Sequence, residues 1–237
     1  MMPVNYDRGW ENWGDMIDFS PAPFHRRRLI MNYAKRITFR SVLDVGCGNG
    51  TLLREIGRQV PVNLTGVDLS EYIVDRNKES FPGIQFYTMD ISGNALKEKF
   101  DLVICSEVLE HIEDANNALQ NLRKMCGRYL IITVPTGPIF PIDKEMGHIR
   151  HYKPHELVAS LRQHGFKILS IDRSGFPFHT LYKCLINTRP RSSLERFAAG
   201  SYGWVEKTIS DFLRGLFYLN SSKRGWQLHC LAELEGQ

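Results

Sequence analysis

Cysteine is scarce and unpatterned. Cys47, Cys105, Cys126, Cys184 and Cys230 are odd in number and never spaced as CxxC. That spacing excludes a disulfide framework and a zinc knuckle, and it suits a reducing compartment. Long apolar runs are missing as well. None approaches the roughly 20 residues that cross a bilayer, and MMPVNYDRGWENWGD has no basic stretch followed by an apolar one, so neither a membrane span nor a secretory leader is expected. Charge of one sign is also modest. The formal net charge of +4 has local excess in His25-Arg26-Arg27-Arg28 and between Arg189 and Arg196. So small an excess does not favour a nucleic-acid partner and suits an anionic small molecule equally well. No internal repeat or low-complexity tract occurs. The expectation is a soluble cytoplasmic protein with a small-molecule partner.

What the chain does have is the makings of one sizeable core: 237 residues, 43% hydrophobic and 24% charged, the composition of an ordinary globular domain. Five short runs are nearly all apolar at their centres: SVLDVG (41–46), NLTGVDL (63–69), IQFYTMD (84–90), FDLVICS (100–106) and YLIITVP (129–135). Each reads as a strand buried on both faces. Between them lie the helical patterns TLLREIGRQV, SEYIVDRNKES and DANNALQNLRKMC. Strict alternation of strand and helix implies right-handed crossovers and a parallel, doubly wound α/β sheet.

After Pro135 the rhythm changes. A Gly/Pro-rich loop, TGPIFPIDKEMGHIRHYK, precedes a predicted helix over 154–163, then a sixth strand in GFKILSIDR and a seventh in GWQLHCLAEL (225–234). The predicted organisation is an N-terminal helical cap over 1–40 and a main domain over 41–237, with an insertion between strands six and seven. Residues 175–222 of that insertion are read as a substrate lid. Within it, Trp204, Val205, Ile209, Phe212, Leu213, Leu216 and Phe217 fall at helical spacing, which predicts a helix packing its apolar face on the core.

VLDVGCGNGT runs from a strand straight into a helix, with Asp44, Gly46, Gly48 and Gly50 at every second position. Glycines allow positive φ and close approach to a ligand, and the helix start offers free N–H groups to a negative group. A dinucleotide fingerprint would need a third glycine at position 51, which is Thr51. The nicotinamide reading therefore fails. Asp68 in GVDLSE ends the second strand, where a carboxylate can accept both ribose hydroxyls. Asp90 in TMDIS ends the third, within reach of an adenine amino group.

VLDVGCGNG, GVDLSE, MDIS and FDLVICSEVLEHIED together resemble successive motifs of the class I S-adenosylmethionine-dependent methyltransferases, over roughly residues 41 to 173. The resemblance implies a Rossmann-like sheet of seven strands, mostly parallel, with the last antiparallel. It also implies S-adenosylmethionine as cofactor. Asp44, Gly46, Cys47 and Gly48 would hold its methionine part, Asp68 its ribose, and Asp90 with Ile91 its adenine. Leu69 and Met89 would give apolar faces to the base, and Cys105 and Ser106 would border the methyl group.

SEVLEHIED follows the fourth strand. A helix beginning soon after Ser106 would put Glu107, Glu110 and His111 at i, i+3 and i+4, on one face of one turn. Two readings stand side by side. One is helix punctuation, with acids at a positive dipole end. The other is a divalent metal site for magnesium, manganese or zinc, with His148 from GHIRHYKPHEL as the fourth ligand. EVLEH with a later histidine resembles the metal-dependent O-methyltransferases, both those acting on small-RNA 3′ ends and those of the ubiquinone pathway. Without a metal, His111, His148 or His151 is the candidate catalytic base.

In class I methyltransferases the region before the first strand commonly covers the cofactor, and here it contains Trp10, Trp13 and Met16. The expected function is methyl transfer to a small-molecule hydroxyl with a divalent metal assisting. The alternatives are a small-amine N-methyltransferase, an RNA terminal-ribose methyltransferase, and a non-catalytic cofactor-binding subunit.

Overall fold

The computed structural model describes residues 6–188 and 202–236, the side chains of 12–16 excepted. Seven strands form one sheet: β1 (Ser41–Val45), β2 (Asn63–Asp68), β3 (Gln85–Thr88), β4 (Phe100–Ser106), β5 (Cys126–Pro135), β6 (Phe166–Ser174) and β7 (Gln227–Leu234). Their order is β3-β2-β1-β4-β5-β7-β6. The strands from β3 through β5 run parallel, and β7 is antiparallel to both of its neighbours. This is the predicted doubly wound, mostly parallel architecture with an antiparallel last strand.

The apolar runs form strands because both of their faces are covered. On one face Leu43, Val103, Leu130 and Ile132 join a core beneath α5 (Ala115–Met125) and α7 (Pro154–Gln163). On the other, Val42, Leu102, Ile104 and Ile131 pack under α2 (Pro21–Ala34) and α3 (Thr51–Gly57). Each such side chain, fully buried, contributes about 1.5–3 kcal/mol of transfer free energy. The helices start where the sequence signals it. Ser70 Oγ accepts from Ile73 N at 3.3 Å to cap α4 (Glu71–Ser80), and Asp114 Oδ1 accepts from Asn116 N and Asn117 N to cap α5.

Ahead of the sheet come α1 (Tyr6–Phe19) and α2, which places two helices in the predicted cap region. The insertion between β6 and β7 contains α8 (Phe178–Thr188) and α9 (Trp204–Phe217), while α6 (Pro141–Glu145) follows β5. Helix α9 departs from its prediction. Of the residues expected to face the core only Phe217 is buried, whereas Trp204 is 80% and Phe212 66% exposed. The helix docks instead through its cations. Lys207 Nζ lies 4.4 Å from the Phe19 ring and Arg214 4.8 Å from that of Phe24, on α1 and α2. The apolar stripe is thereby split: Val205, Leu213 and Leu216 are half-buried and Phe217 packs against His25, His179 and Tyr182, while Trp204 and Phe212 face outward. No described helix is long and apolar enough to cross a membrane.

Candidate active site

A cavity of about 860 Å³ opens where the carboxyl ends of β1, β2 and β4 meet α1, α2, α6 and α8. This is the sheet edge at which doubly wound folds take their ligands. The glycine loop after β1 forms one wall, pinned by main-chain bonds from Gly46 N and Cys47 N to Val67 O and by Asn77 Nδ2 donating to Gly48 O at 2.7 Å. Gly46 (φ 72°) and Gly48 (φ 50°) occupy left-handed backbone. A methyl group on Gly46 would come within 2.4 Å of Val108, and one on Gly48 within 2.5 Å of the Trp10 indole. Trp10 therefore lies against the loop. The side chains of Trp13 and Met16 lie outside the described residues.

The strand-end acids sit beside this loop. Asp68 Oδ2 accepts from Gly48 N at 2.9 Å and Oδ1 from Ser70 N at 3.0 Å, which fixes the carboxylate while leaving a lone pair on each oxygen. Burial raises its pKa, and the N–H groups of Ser70 and Gly48 oppose that rise. Asp44 lacks such support, and burial followed by the nearby Asp68 charge pushes it up to about 8. Asp90 Oδ1 accepts from Ser92 N and Ser92 Oγ. Leu69, Met89, Asp90, Ile91, Cys47 and Ser106 all line the cavity. Cys105 does not. It is completely buried in the core with Leu43 and Val103, because the pleat of β4 alternates sides and sends residue 106, not 105, toward the ligand edge.

SEVLEHIED forms no α-helix at its start. Glu107 stands at φ 56°, a left-handed conformation unusual for a residue with a side chain, and Leu109–His111 make a single 3₁₀ turn. The expected one-face alignment is thereby broken. Glu107 Oε1 accepts from Gln227 Nε2 at 2.6 Å and Thr133 Oγ1 at 3.2 Å, and Oε2 lies 3.5 Å from Arg26. Glu110 instead points beneath the cavity floor, 0% exposed. Apart from its own backbone N–H, no hydrogen-bond donor among the described residues reaches either of its oxygens. Burial, then the Glu107 charge, raises its pKa well above the carboxylate range.

Among the described residues two groups of potential cation ligands result, sharing one residue. Glu110, His111 and His148 offer atoms within 4.8 Å of one another, and so do Asp143, His148 and His151. Like the Glu110 oxygens, His111 Nδ1 is buried with no hydrogen-bond partner from another described residue. Burial lowers the pKa of His111, and burial with the neighbouring His111 and His151 lowers that of His148 to about 2. Both rings therefore present neutral nitrogens at physiological pH. His151 lies behind His148 and does not line the cavity.

Several residues gathered here carry no local sequence signal. Asp143 is held by Lys183 of α8 at 3.0 Å, and Tyr6 of α1 meets His111 edge to face at 6.2 Å. Arg26 and Gln227 reach Glu107 from α2 and β7. The stretch His25 to Arg28 had shown only as a charge run. Arg26 and Arg27 both line the cavity, and Arg27 pairs with Glu55 at 3.0 Å.

A sheet of this order, with a glycine loop and acid-bearing strand ends at its ligand edge, is the class I S-adenosylmethionine-dependent methyltransferase fold. Residues 23–171, more than half of the chain, match the model of the methyltransferase domain family, and the chain belongs to that family as an S-adenosylmethionine-dependent enzyme. The ubiquinone biosynthesis O-methyltransferase of Bordetella avium is 30% identical over 165 residues, 60% of this chain and 68% of that one. The enzyme of the same name from Colwellia psychrerythraea is 26% identical over 163 residues, 59% of this chain and 65% of its own. The chain thus spans about two thirds of the length of these relatives. Among solved structures, the N-methyltransferase NodS of Bradyrhizobium japonicum, in complex with S-adenosylhomocysteine, superposes with a TM-score of 0.63 at 14% identity, covering 98% of this chain and all of NodS. A likeness that distant concerns the fold.

Proposed function

We propose that the protein transfers a methyl group from S-adenosylmethionine to a hydroxyl of a small-molecule acceptor, with a divalent cation held by Glu110, His111 and His148. The observation that carries this reading is a set of buried atoms that no other described residue partners: both Glu110 oxygens, just beneath the cavity floor, and His111 Nδ1. A buried polar atom left unsatisfied costs about 1–3 kcal/mol, so a cluster of them is the mark of a group to be bound. Two imidazoles and one carboxylate suit zinc or manganese better than magnesium. Glu107, whose Oε1 is already taken by Gln227 and Thr133, stands beside this set as an orienting carboxylate.

The cofactor fits the upper cavity. The glycine loop receives the methionine part, Asp44 its ammonium, Asp68 the ribose hydroxyls, and Leu69, Met89, Asp90 and Ile91 the adenine. Bound there, S-adenosylmethionine supplies an electrophilic sulfonium methyl, so the protein has chiefly to align the acceptor, exclude water and ionise the hydroxyl. A divalent ion lowers the pKa of a hydroxyl bound to it. Alignment falls to the far wall, where Ile142, Met146, Tyr182, Lys183 and Ile186 combine apolar surface with one cation. Three of these belong to α8, which supports the lid role for the insertion over 175–222. The similarity to ubiquinone biosynthesis O-methyltransferases supports oxygen over nitrogen as acceptor atom.

Incubation of metabolite extracts with S-adenosylmethionine labelled in its methyl group, with and without chelator, tests both parts at once. The expected product carries an alkali-stable O-methyl group, and its yield collapses with chelator and returns with manganese or zinc. Methylation of amines only, or a yield indifferent to chelator, overturns the acceptor or the metal assignment respectively.

A further inference from the structure

The histidines behind the cavity floor determine where one another's protons sit. His151 Nδ1 lies 3.2 Å from the carbonyl oxygen of Gly137, which can only accept, so that nitrogen bears hydrogen. At pH 8, above the ordinary imidazole range, an imidazole bears hydrogen on one nitrogen only. Its Nε2 is then a bare lone pair. His148 Nδ1 stands 3.2 Å from that lone pair and has to donate to it. A second acceptor, Asp143 Oδ2, lies 3.6 Å from His151 Nε2. Asp143 has little pull on the proton, because Lys183 Nζ lies 3.0 Å from its other oxygen and Phe140 N donates to Oδ2 at 2.8 Å.

We propose that His151 is a positioning residue which holds His148 in the Nδ1–H tautomer, so that His148 offers its Nε2 lone pair to the corner formed by Glu110 and His111. The chain Gly137 C=O, His151, His148 then acts as the outer support of the ligand nitrogen, as carboxylates and carbonyls do behind metal-bound imidazoles elsewhere. The inference takes its functional consequence from the metal reading above, but the tautomer itself does not depend on any ion. It also gives Lys183 a task. By neutralising Asp143, a residue of α8 keeps the proton arrangement behind the floor in order, which couples the insertion to the ligand set.

The test is long-range ¹H–¹⁵N correlation spectroscopy on ¹⁵N-histidine-labelled protein at pH 8 in chelator, with His148 assigned through His148→Gln. The expected spectrum places the His148 proton on Nδ1. In His151→Phe it should move to Nε2, the form a free imidazole favours. In His151→Gln, whose amide can both donate to Gly137 O and accept from His148, it should stay on Nδ1. Manganese or zinc affinity, measured by calorimetry, should fall about 10- to 100-fold in His151→Phe and be largely kept in His151→Gln. A wild-type His148 protonated on Nε2, or identical His148 patterns in the two variants, overturns the proposal. Failure of the wild type to bind either ion overturns the metal reading alone, since the spectrum still decides the tautomer.

Discussion

The two halves of the cavity treat their carboxylates in opposite ways. In the half proposed for the cofactor, both Asp68 oxygens are met by main-chain N–H groups, from Gly48 and Ser70. Beneath the floor of the half proposed for the acceptor, neither Glu110 oxygen meets a donor from any other described residue. The first arrangement is complete without its ligand. The second is a buried acid and an imidazole nitrogen that no other described residue partners. A parallel sheet supplies free N–H groups at its loop and helix starts, so the β1 and β2 edge orients an acid with backbone alone. Past β4 the chain enters a single 3₁₀ turn, which offers no such row of donors.

The sharpest way to break this contrast is Glu110→Ala. Activity should fall by about three orders of magnitude, together with bound manganese or zinc, on the several kcal/mol that a correctly held ion contributes; activity kept at wild-type level in the metal-depleted variant would return Glu110 to a structural role. Next in size is Asp68→Ala, which removes two charge-assisted acceptors at about 1.5–3 kcal/mol each and should weaken S-adenosylmethionine binding by roughly 100-fold or more by calorimetry. Unchanged affinity would sink the ribose assignment.

The contrast also predicts opposite signs in stability. In chelator, Glu110→Gln should melt higher than wild type, because a buried carboxyl without a partner is destabilising. Asp68→Asn should melt lower, because its new NH₂ faces the N–H groups that the carboxylate satisfied. Both moving in the same direction would erase the distinction.

Asp44 gives a fourth, smaller effect. Its pKa is raised from 3.8 to about 8 in the folded protein, so the native state binds this proton more tightly than the unfolded chain. The associated stability is fully present below the unfolded value and lost as pH rises through the folded one, at up to about 1.4 kcal/mol per pH unit. Without cofactor the melting temperature should therefore slope downward between about pH 4 and 8, and Asp44→Asn should flatten that slope. A wild-type curve already flat over this window would show that Asp44 ionises without cost. The smallest change expected is in Trp10→Ala, where loss of the indole over Gly48 should speed cofactor release several-fold in stopped-flow measurements and leave acceptor KM unmoved.

How much of this was legible beforehand follows the same division. Asp44, Gly46, Gly48, Asp68 and Asp90 could be picked out because each lies at the end of an apolar run, and in a parallel sheet every such end falls on one edge. Of the expected pair Cys105 and Ser106 only Ser106 reaches the cavity, because one residue along a strand is the difference between core and cavity. Helix α9 has the period of a packed amphipathic helix, yet Trp204 and Phe212 of its apolar stripe face outward, while Lys207 and Arg214 lie against aromatic rings on α1 and α2. Periodicity reports that a helix has two faces. It does not say which one is covered.

From local order alone, then, came the strands, their parallel winding, the glycine loop and the acids at the sheet edge, since each depends on residues within a few positions of one another. Tertiary structure decided the floor. Glu107 turned toward Arg26 and Gln227, Asp143 entered through Lys183, and His151 came to stand behind His148. Those partners lie on α2, β7, α8 and the loop after β5. Only the closing of the helices over the sheet brings them within hydrogen-bonding distance, and at a few ångströms both the protonation of a buried imidazole and the affinity of a carboxylate for a cation are set by whichever neighbours the fold supplies.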